Sequence, residues 1–240
     1  MRHTDKLWGG FSLIQDDRFF KLGQDSMLLS AFASPSPQAK VLDLGCGNGA
    51  LGVLLCARHP GLDVTGLEIQ PEVAELAREN VSLNRLDARM RIVCGDLKQY
   101  KQLFPTGAFE YIICNPPYFS QDSGYAAKGK NRHTARQETE CSAADAVRAA
   151  AYFVKYGGRA AFVYRPERIC ELVFDMKQCG LEPKRLRFVH QHAKAVPSAV
   201  LVEARRGSAP GVQVLPPLLV CGEDGAQTEE YRTIYHREEF

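Results

Sequence analysis

The chain has 240 residues, 45% hydrophobic and 24% charged, and its 30 Lys and Arg nearly balance its 28 Asp and Glu, for a net charge of +2. That composition excludes a disordered or fibrous chain and suits one sizeable α/β domain. It also excludes a global basic field, so any contact with nucleic acid has to come from local patches.

The start, Met1-Arg2-His3-Thr4-Asp5-Lys6, is polar and has no apolar leader, and no apolar run approaches a membrane span. The eight cysteines form no CxxC pair, so they read as reduced thiols in a cytoplasmic protein. Cys94 and Cys114 end apolar runs and are expected in the core.

Residues 1–38 read as an N-terminal extension packing on a domain of residues 39–240. The extension holds one helical stretch, 25–32, broken by Ser34-Pro35-Ser36-Pro37. From Lys40 strands and helices alternate. Strands are expected at 41–44, 64–67, 91–94, 111–114 and 160–164, with closing strands at 187–190 and 199–202. Helices are expected at 50–58, at 71–84 with Pro71 in its first turn, at 142–156 and at 166–179. Ser142 and Asp145 suit a cap for the third of these, and Gly157-Gly158 its end. A tail follows, with a turn at 222–225 and a charged terminal helix.

Alternation of this kind implies a Rossmann-like α/β fold. A mostly parallel, seven-stranded sheet carries helices on both faces, and its last two strands form an antiparallel edge pair. Ligands of such sheets sit beyond the carboxyl ends of the strands, where the chemistry-bearing motifs fall.

The first motif is Asp43-Leu44-Gly45-Cys46-Gly47-Asn48-Gly49, between the first strand and its helix. Glycines there allow a tight turn and close approach of a ligand to the backbone. The letters also fit a dinucleotide fingerprint, but Asp43 would repel a pyrophosphate and suits an ammonium group instead. Glu68 ends the second strand, where a carboxylate takes two ribose hydroxyls, and Asp96 follows the third, within reach of an adenine amino group. The set resembles class I S-adenosylmethionine-dependent methyltransferases. The resemblance implies S-adenosylmethionine as cofactor, with Asp43, Gly45 and Gly47 around its methionine part, Glu68 on the ribose and Asp96 on the adenine. Asp25, Asn48 and Asn115 are counted with these cofactor contacts.

The second motif is Asn115-Pro116-Pro117-Tyr118, after the fourth strand. An exocyclic amino nitrogen conjugated to an aromatic ring is a poor nucleophile. Two acceptors that take its N–H bonds aim its lone pair at a methyl donor. The Asn115 side-chain oxygen and the carbonyl of Pro116, which donates nothing and stiffens the turn, serve as that pair, Tyr118 offers a stacking face for a flipped base, and Pro117 is counted with them as part of the catalytic motif. The tetrapeptide resembles the motif of N6-adenine and N5-glutamine methyltransferases.

Lys128, Lys130, Arg132, His133 and Arg136 follow, with no acidic residue between 126 and 137; such a cluster suits phosphate contact or a solvated surface loop. Arg185, Arg187, His190, His192 and Lys194 add basic groups near the sheet edge. His190 and His192 alternate on one strand, but no further ligands accompany them, and no metal is expected.

A narrower resemblance joins Gly23-Gln24-Asp25-Ser26-Met27-Leu28-Leu29, the cofactor loop, Asn115–Tyr118, Arg132-His133, Glu138, Gly157-Gly158-Arg159 and Pro216-Pro217-Leu218. Together they look like the bacterial tRNA1(Val) adenine-N6-methyltransferase family. That resemblance implies a tRNA substrate, methylated at the adenosine 3′ of the anticodon. Two alternatives stand beside it: a glutamine-N5 methyltransferase acting on a protein such as a release factor, and a catalytically silent RNA-binding module. Either a monomer or a homodimer is compatible with the sequence.

Overall fold

The computed structural model describes residues 1–116 and 142–236. The chain opens with an antiparallel hairpin of β1 (Arg2–Lys6) and β2 (Ser12–Asp16), followed by α1 (Gln24–Phe32). The alternating part is β3 (Lys40–Leu44), α2 (Ala50–Arg58), β4 (Asp63–Glu68), α3 (Pro71–Leu83), β5 (Met90–Cys94), the short α4 (Tyr100–Leu103) and β6 (Phe109–Cys114). After the segment outside the described residues come α5 (Ala143–Phe153), β7 (Val154–Tyr164), α6 (Ile169–Gln178), β8 (Leu181–His190) and β9 (Pro197–Arg206). The tail adds β10 (Gln213–Val214), β11 (Leu218–Leu219) and α7 (Glu229–Ile234).

Among the described residues the main sheet runs β10-β8-β9-β7-β6-β3-β4-β5, with β11 also paired to β8. All seven expected strands are in it. Strands β5, β4, β3, β6 and β7 are parallel, and β9 alone runs antiparallel to both its neighbours, β7 and β8. The two short tail strands extend the sheet to nine, so the antiparallel pair lies one step in from the edge rather than at it.

Successive strand residues serve opposite faces, as the period of two requires. Val41, Tyr111, Ile113 and Val163 join a core with α1, α2, α3 and α7. Leu42, Ile112, Phe162 and Tyr164 join a second core with α5 and α6. Helices therefore cover both faces of the sheet. Reversal of strand order about β3, with β4 on one side and β6 on the other, makes the carboxyl ends of β3 and β6 the switch point of the sheet.

Several details depart from the sequence reading. The N-terminal extension holds a hairpin as well as its helix. Two helix carboxamides tie that hairpin down. Asn80 accepts from Ile14 N (2.6 Å) and donates to Ile14 O (3.0 Å), while Asn84 accepts from Ser12 N (2.8 Å) and donates to Ser12 O (2.7 Å). Four helical residues rise about 6 Å and two strand residues about 6.8 Å, so side chains at i and i+4 meet alternate residues of a strand edge. The two asparagines thus satisfy the edge of β2 much as another strand would.

The helix expected to reach 156 stops at Phe153, and Gly157-Gly158 lies inside β7 rather than closing a helix. A Cβ on Gly158 would sit 2.7 Å from the Glu110 carbonyl, so glycine lets the two backbones touch at the irregular start of the β6–β7 pairing. The Ser142–Asp145 cap is present as a reciprocal box. Cys94 is exposed, because β5 is the edge strand, while Cys114 is buried as expected.

Basic groups at the far edge are spent inside the protein. Arg185 and Arg159 both reach the buried Glu203 Oε1 (3.3 and 3.2 Å), and Tyr111 and Ser34 hydroxyls donate to its Oε2 (2.6 and 2.8 Å). Arg187 makes a two-pronged ion pair with Glu230. His192 lies beyond the end of β8, so it does not share a strand face with His190, whose Nδ1 is 2.7 Å from Ala195 O. Among the described residues no helix is long and apolar enough to cross a membrane.

Candidate active site

The loop after β3 is pinned to the end of β4. Gly45 N and Cys46 N both donate to Leu67 O at 2.9 Å. Gly45 and Gly47 have φ of +76° and +54°, the left-handed region that favours glycine. A Cβ built on either would meet nothing within 4 Å, so the outer surface of the loop is open to a ligand.

Two buried carboxylates hold the loop from beneath. Asp43, 1% exposed, accepts from Gly52 N at 3.1 Å and so caps the first turn of α2 from the neighbouring strand. Burial pushes its carboxyl up to about 7, and the nearby charge of Glu68 adds to the rise, against the lowering hydrogen bond from Gly52. Glu68, 6% exposed, spans the gap between strand and loop: its Oε2 accepts from Gly47 N (3.0 Å) and its Oε1 from Gln70 N (2.9 Å). Burial raises its pKa too, against those backbone bonds. Both acids are buried behind the glycine loop and bonded to its backbone or to that of the helix it opens, and neither lines the cavity described below.

Asn48 is buried in the same loop. Its Oδ1 accepts from Ala50 N, and its backbone carbonyl accepts from Asn80 Nδ2 at 2.9 Å. Asn80, fully buried, therefore joins the hairpin and the loop through one side chain. Asp96 follows β5 and accepts from Lys98 N (2.8 Å), starting a short 3-10 turn at Leu97–Gln99. Asp25 lies half-buried in the first turn of α1.

Asn115 and Pro116 follow β6, with Asn115 half-buried and Pro116 buried. Asn115 Nδ2 donates to Ser26 Oγ on α1 at 3.2 Å. A cavity of about 50 Å³ brings Asn115 and Ser26 together with Gly45, Cys46, Gly47 and Asn48, and Phe20 and Leu22 line its rim. Asp96 lies across the sheet after β5, and Asp43 lies beneath the loop; neither lines this cavity. Pro117, Tyr118, Lys128, Lys130, Arg132, His133 and Arg136 lie outside the described residues. Sequence reasoning did not assign a role to Ser26, Asn80 or Phe20. A serine in a helix's first turn and an asparagine inside a helix are weak signals, since each also serves local capping.

Residues 22–170 match the methyltransferase small domain family. The chain belongs to this methyltransferase family. Two curated relatives, from Shewanella halifaxensis and Vibrio campbellii, both carry the name tRNA1(Val) (adenine(37)-N6)-methyltransferase. The first is 30% identical over 201 residues, covering 83% of this chain and 73% of that protein. The second is 34% identical over 126 residues, so the match spans about half of each protein, 52% of this chain and 51% of the relative. The family resemblance drawn from the motifs therefore holds along much of the chain. A solved structure from Agrobacterium tumefaciens, the predicted O-methyltransferase Atu636, superposes with a TM-score of 0.74 at 23% identity, covering 89% of this chain and 96% of that one. That likeness shows the class I methyltransferase fold; the fold by itself does not choose the methyl acceptor.

Proposed function

We propose that this methyltransferase moves the methyl group of S-adenosylmethionine to the exocyclic N6 of an adenine in tRNA, the adenosine 3′ of the anticodon, in the cytoplasm. The observation that carries the reading is the meeting of Asn115 with the glycine loop at one cavity on the switch point of the sheet. The two curated relatives, named for this reaction, support the choice of acceptor.

The site fits the cofactor on three counts: the open outer face of Gly45 and Gly47, the buried carboxylate pair behind it, and the bonds that hold both in place. Asp43 would face the ammonium of the methionine part, Glu68 the ribose hydroxyls and Asp96 the adenine, with Asp25 and Asn48 bordering the same ligand. When bound, S-adenosylmethionine supplies an electrophilic methyl group on sulfur. The protein's share is to orient the acceptor. The Asn115 Oδ1 and the Pro116 carbonyl take the two N–H bonds of the amine, which localises its lone pair along the line of transfer. Tyr118 would stack on the flipped base, and Lys128, Lys130, Arg132, His133 and Arg136 would meet phosphates. Once methylated, the nitrogen is cationic and acidic enough to lose its proton to water, so no strong base is required. The same reading takes residues 1–38 as an extension serving the domain of residues 39–240.

The test is transfer of labelled methyl from S-adenosylmethionine to total tRNA, DNA and protein, followed by digestion and mass spectrometry. N6-methyladenosine in tRNA is the expected product. A methylated glutamine would replace the acceptor while leaving the Asn115 chemistry in place; absence of transfer to all three would overturn the reading.

A further inference from the structure

We infer that Ser26 is a positioning residue that anchors the Asn115 carboxamide in the site, an inference resting on the methyl-transfer reading above. Ser26 lies in the first turn of α1, is 6% exposed, and takes the Asn115 Nδ2 hydrogen bond at 3.2 Å. The two residues are separated by 89 positions in the chain, so the contact exists only in the folded molecule.

A carboxamide has two nearly isosteric orientations, one the flip of the other. One presents a carbonyl oxygen to the amine; the other presents N–H groups to the amine's own N–H groups, which gives no acceptor and opposes the approach. A serine hydroxyl accepts from Nδ2 or donates to Oδ1, so the contact limits the swing of the carboxamide about Cβ–Cγ in either orientation; with Nδ2 on Ser26, Oδ1 lies at the other edge of the same plane. Ser26 and Asn115 line the same cavity as Gly45, Gly47 and Asn48, so the contact sits where transfer would occur. The support is rigid: Met27, Leu28 and Leu29, next along α1, are all buried, and Leu28 and Leu29 belong to the core on that face of the sheet. A site held by such an element keeps its geometry better than one on a loop.

A purely structural role makes a different forecast. It would make S26A less stable, partly offset by alanine's helix propensity, and leave the chemical step of the folded protein unchanged. A positioning role forecasts a slower chemical step with binding intact.

The experiment compares wild type, S26A, S26T, N115A and the S26A/N115A double variant in single-turnover methylation of unmodified tRNA. S26A should slow transfer about tenfold, the factor that corresponds to about 1.4 kcal/mol, with unchanged affinity for tRNA and S-adenosylmethionine. S26T keeps the hydroxyl and should stay near wild type. Within N115A, S26A should have no further effect, because its influence passes through Asn115. Wild-type rate in S26A, or additive losses in the double variant, would overturn the inference. A second measurement does not depend on the acceptor. The side-chain amide pair of Asn115 in a 15N–1H spectrum, assigned by its loss in N115A, should shift and exchange faster in S26A. An unmoved pair overturns the inference even if wild type methylates something other than tRNA, an outcome that would count against the functional reading alone.

Discussion

Replacing Asn80 with Ala removes three hydrogen bonds at once: from Ile14 N, to Ile14 O and to Asn48 O. The side chain is fully buried, so water does not replace the lost partners at full strength. At about 1 kcal/mol net for each bond, the loss is about 3 kcal/mol. For a chain of this size that corresponds to a fall in Tm of about 6–12 °C. Two of the bonds hold the edge of β2 and the third holds the cofactor loop, so the loss should be felt twice. In a thermal melt the midpoint should fall by that amount. The rise in Tm that S-adenosylmethionine confers on wild type should also shrink, because the loop loses its anchor at Asn48. Asn80→Asp sharpens the test. It keeps an acceptor for Ile14 N but turns a carboxylate oxygen toward two carbonyls, so it should be at least as damaging as Ala. A fall of less than about 2 °C in both variants would refute the idea that one asparagine ties the hairpin and the loop together.

Other outcomes follow from the site. Asn115→Ala should slow single-turnover methylation by on the order of 100-fold or more, as loss of a group aimed at a reacting centre does, while tRNA affinity changes little; near-wild-type turnover would remove Asn115 from the chemistry. Asp43 should release a proton when a cationic ligand binds. Burial holds it near 7 in the free protein, an ammonium favours its ionised form, and binding should therefore tighten as pH rises from 5 to 7 and level off above. Calorimetry in buffers of differing ionisation enthalpy reads that proton, and its persistence in Asp43→Asn would assign it elsewhere. Substituting Lys128, Lys130 and Arg132 together with Ala should weaken tRNA binding and flatten its salt dependence without altering cofactor affinity; an unchanged salt slope would return the segment to a solvated loop.

The sequence by itself determined the order of strands and helices and the places where chemistry gathers. Apolar runs of four or five residues alternating with helical spacing announce a parallel sheet, and Gly45, Gly47, Glu68 and Asn115 fall at strand ends because loops there face the ligand side of such a sheet. These signals are local: each is complete within a few residues of chain. What only the tertiary structure decided is how distant polar groups find one another. The N-terminal hairpin was illegible because its edge is satisfied by Asn80 and Asn84, 66 and 72 positions along the chain. Arg185 and Arg187 looked like surface charge because Glu203 and Glu230, which hold them, lie 18 and 43 residues away. Gly157-Gly158 looked like the end of a helix because glycine serves both a cap and a close backbone approach, and only the Glu110 carbonyl at 2.7 Å from the Cβ position tells them apart. Ser26 carried no signal of its own, since a hydroxyl in a helix's first turn acquires a role only when the fold sets Asn115 against it. Periodicity is written along the chain, whereas hydrogen-bond partnership between remote side chains exists only once the backbone has been folded to bring them within 3 Å or so.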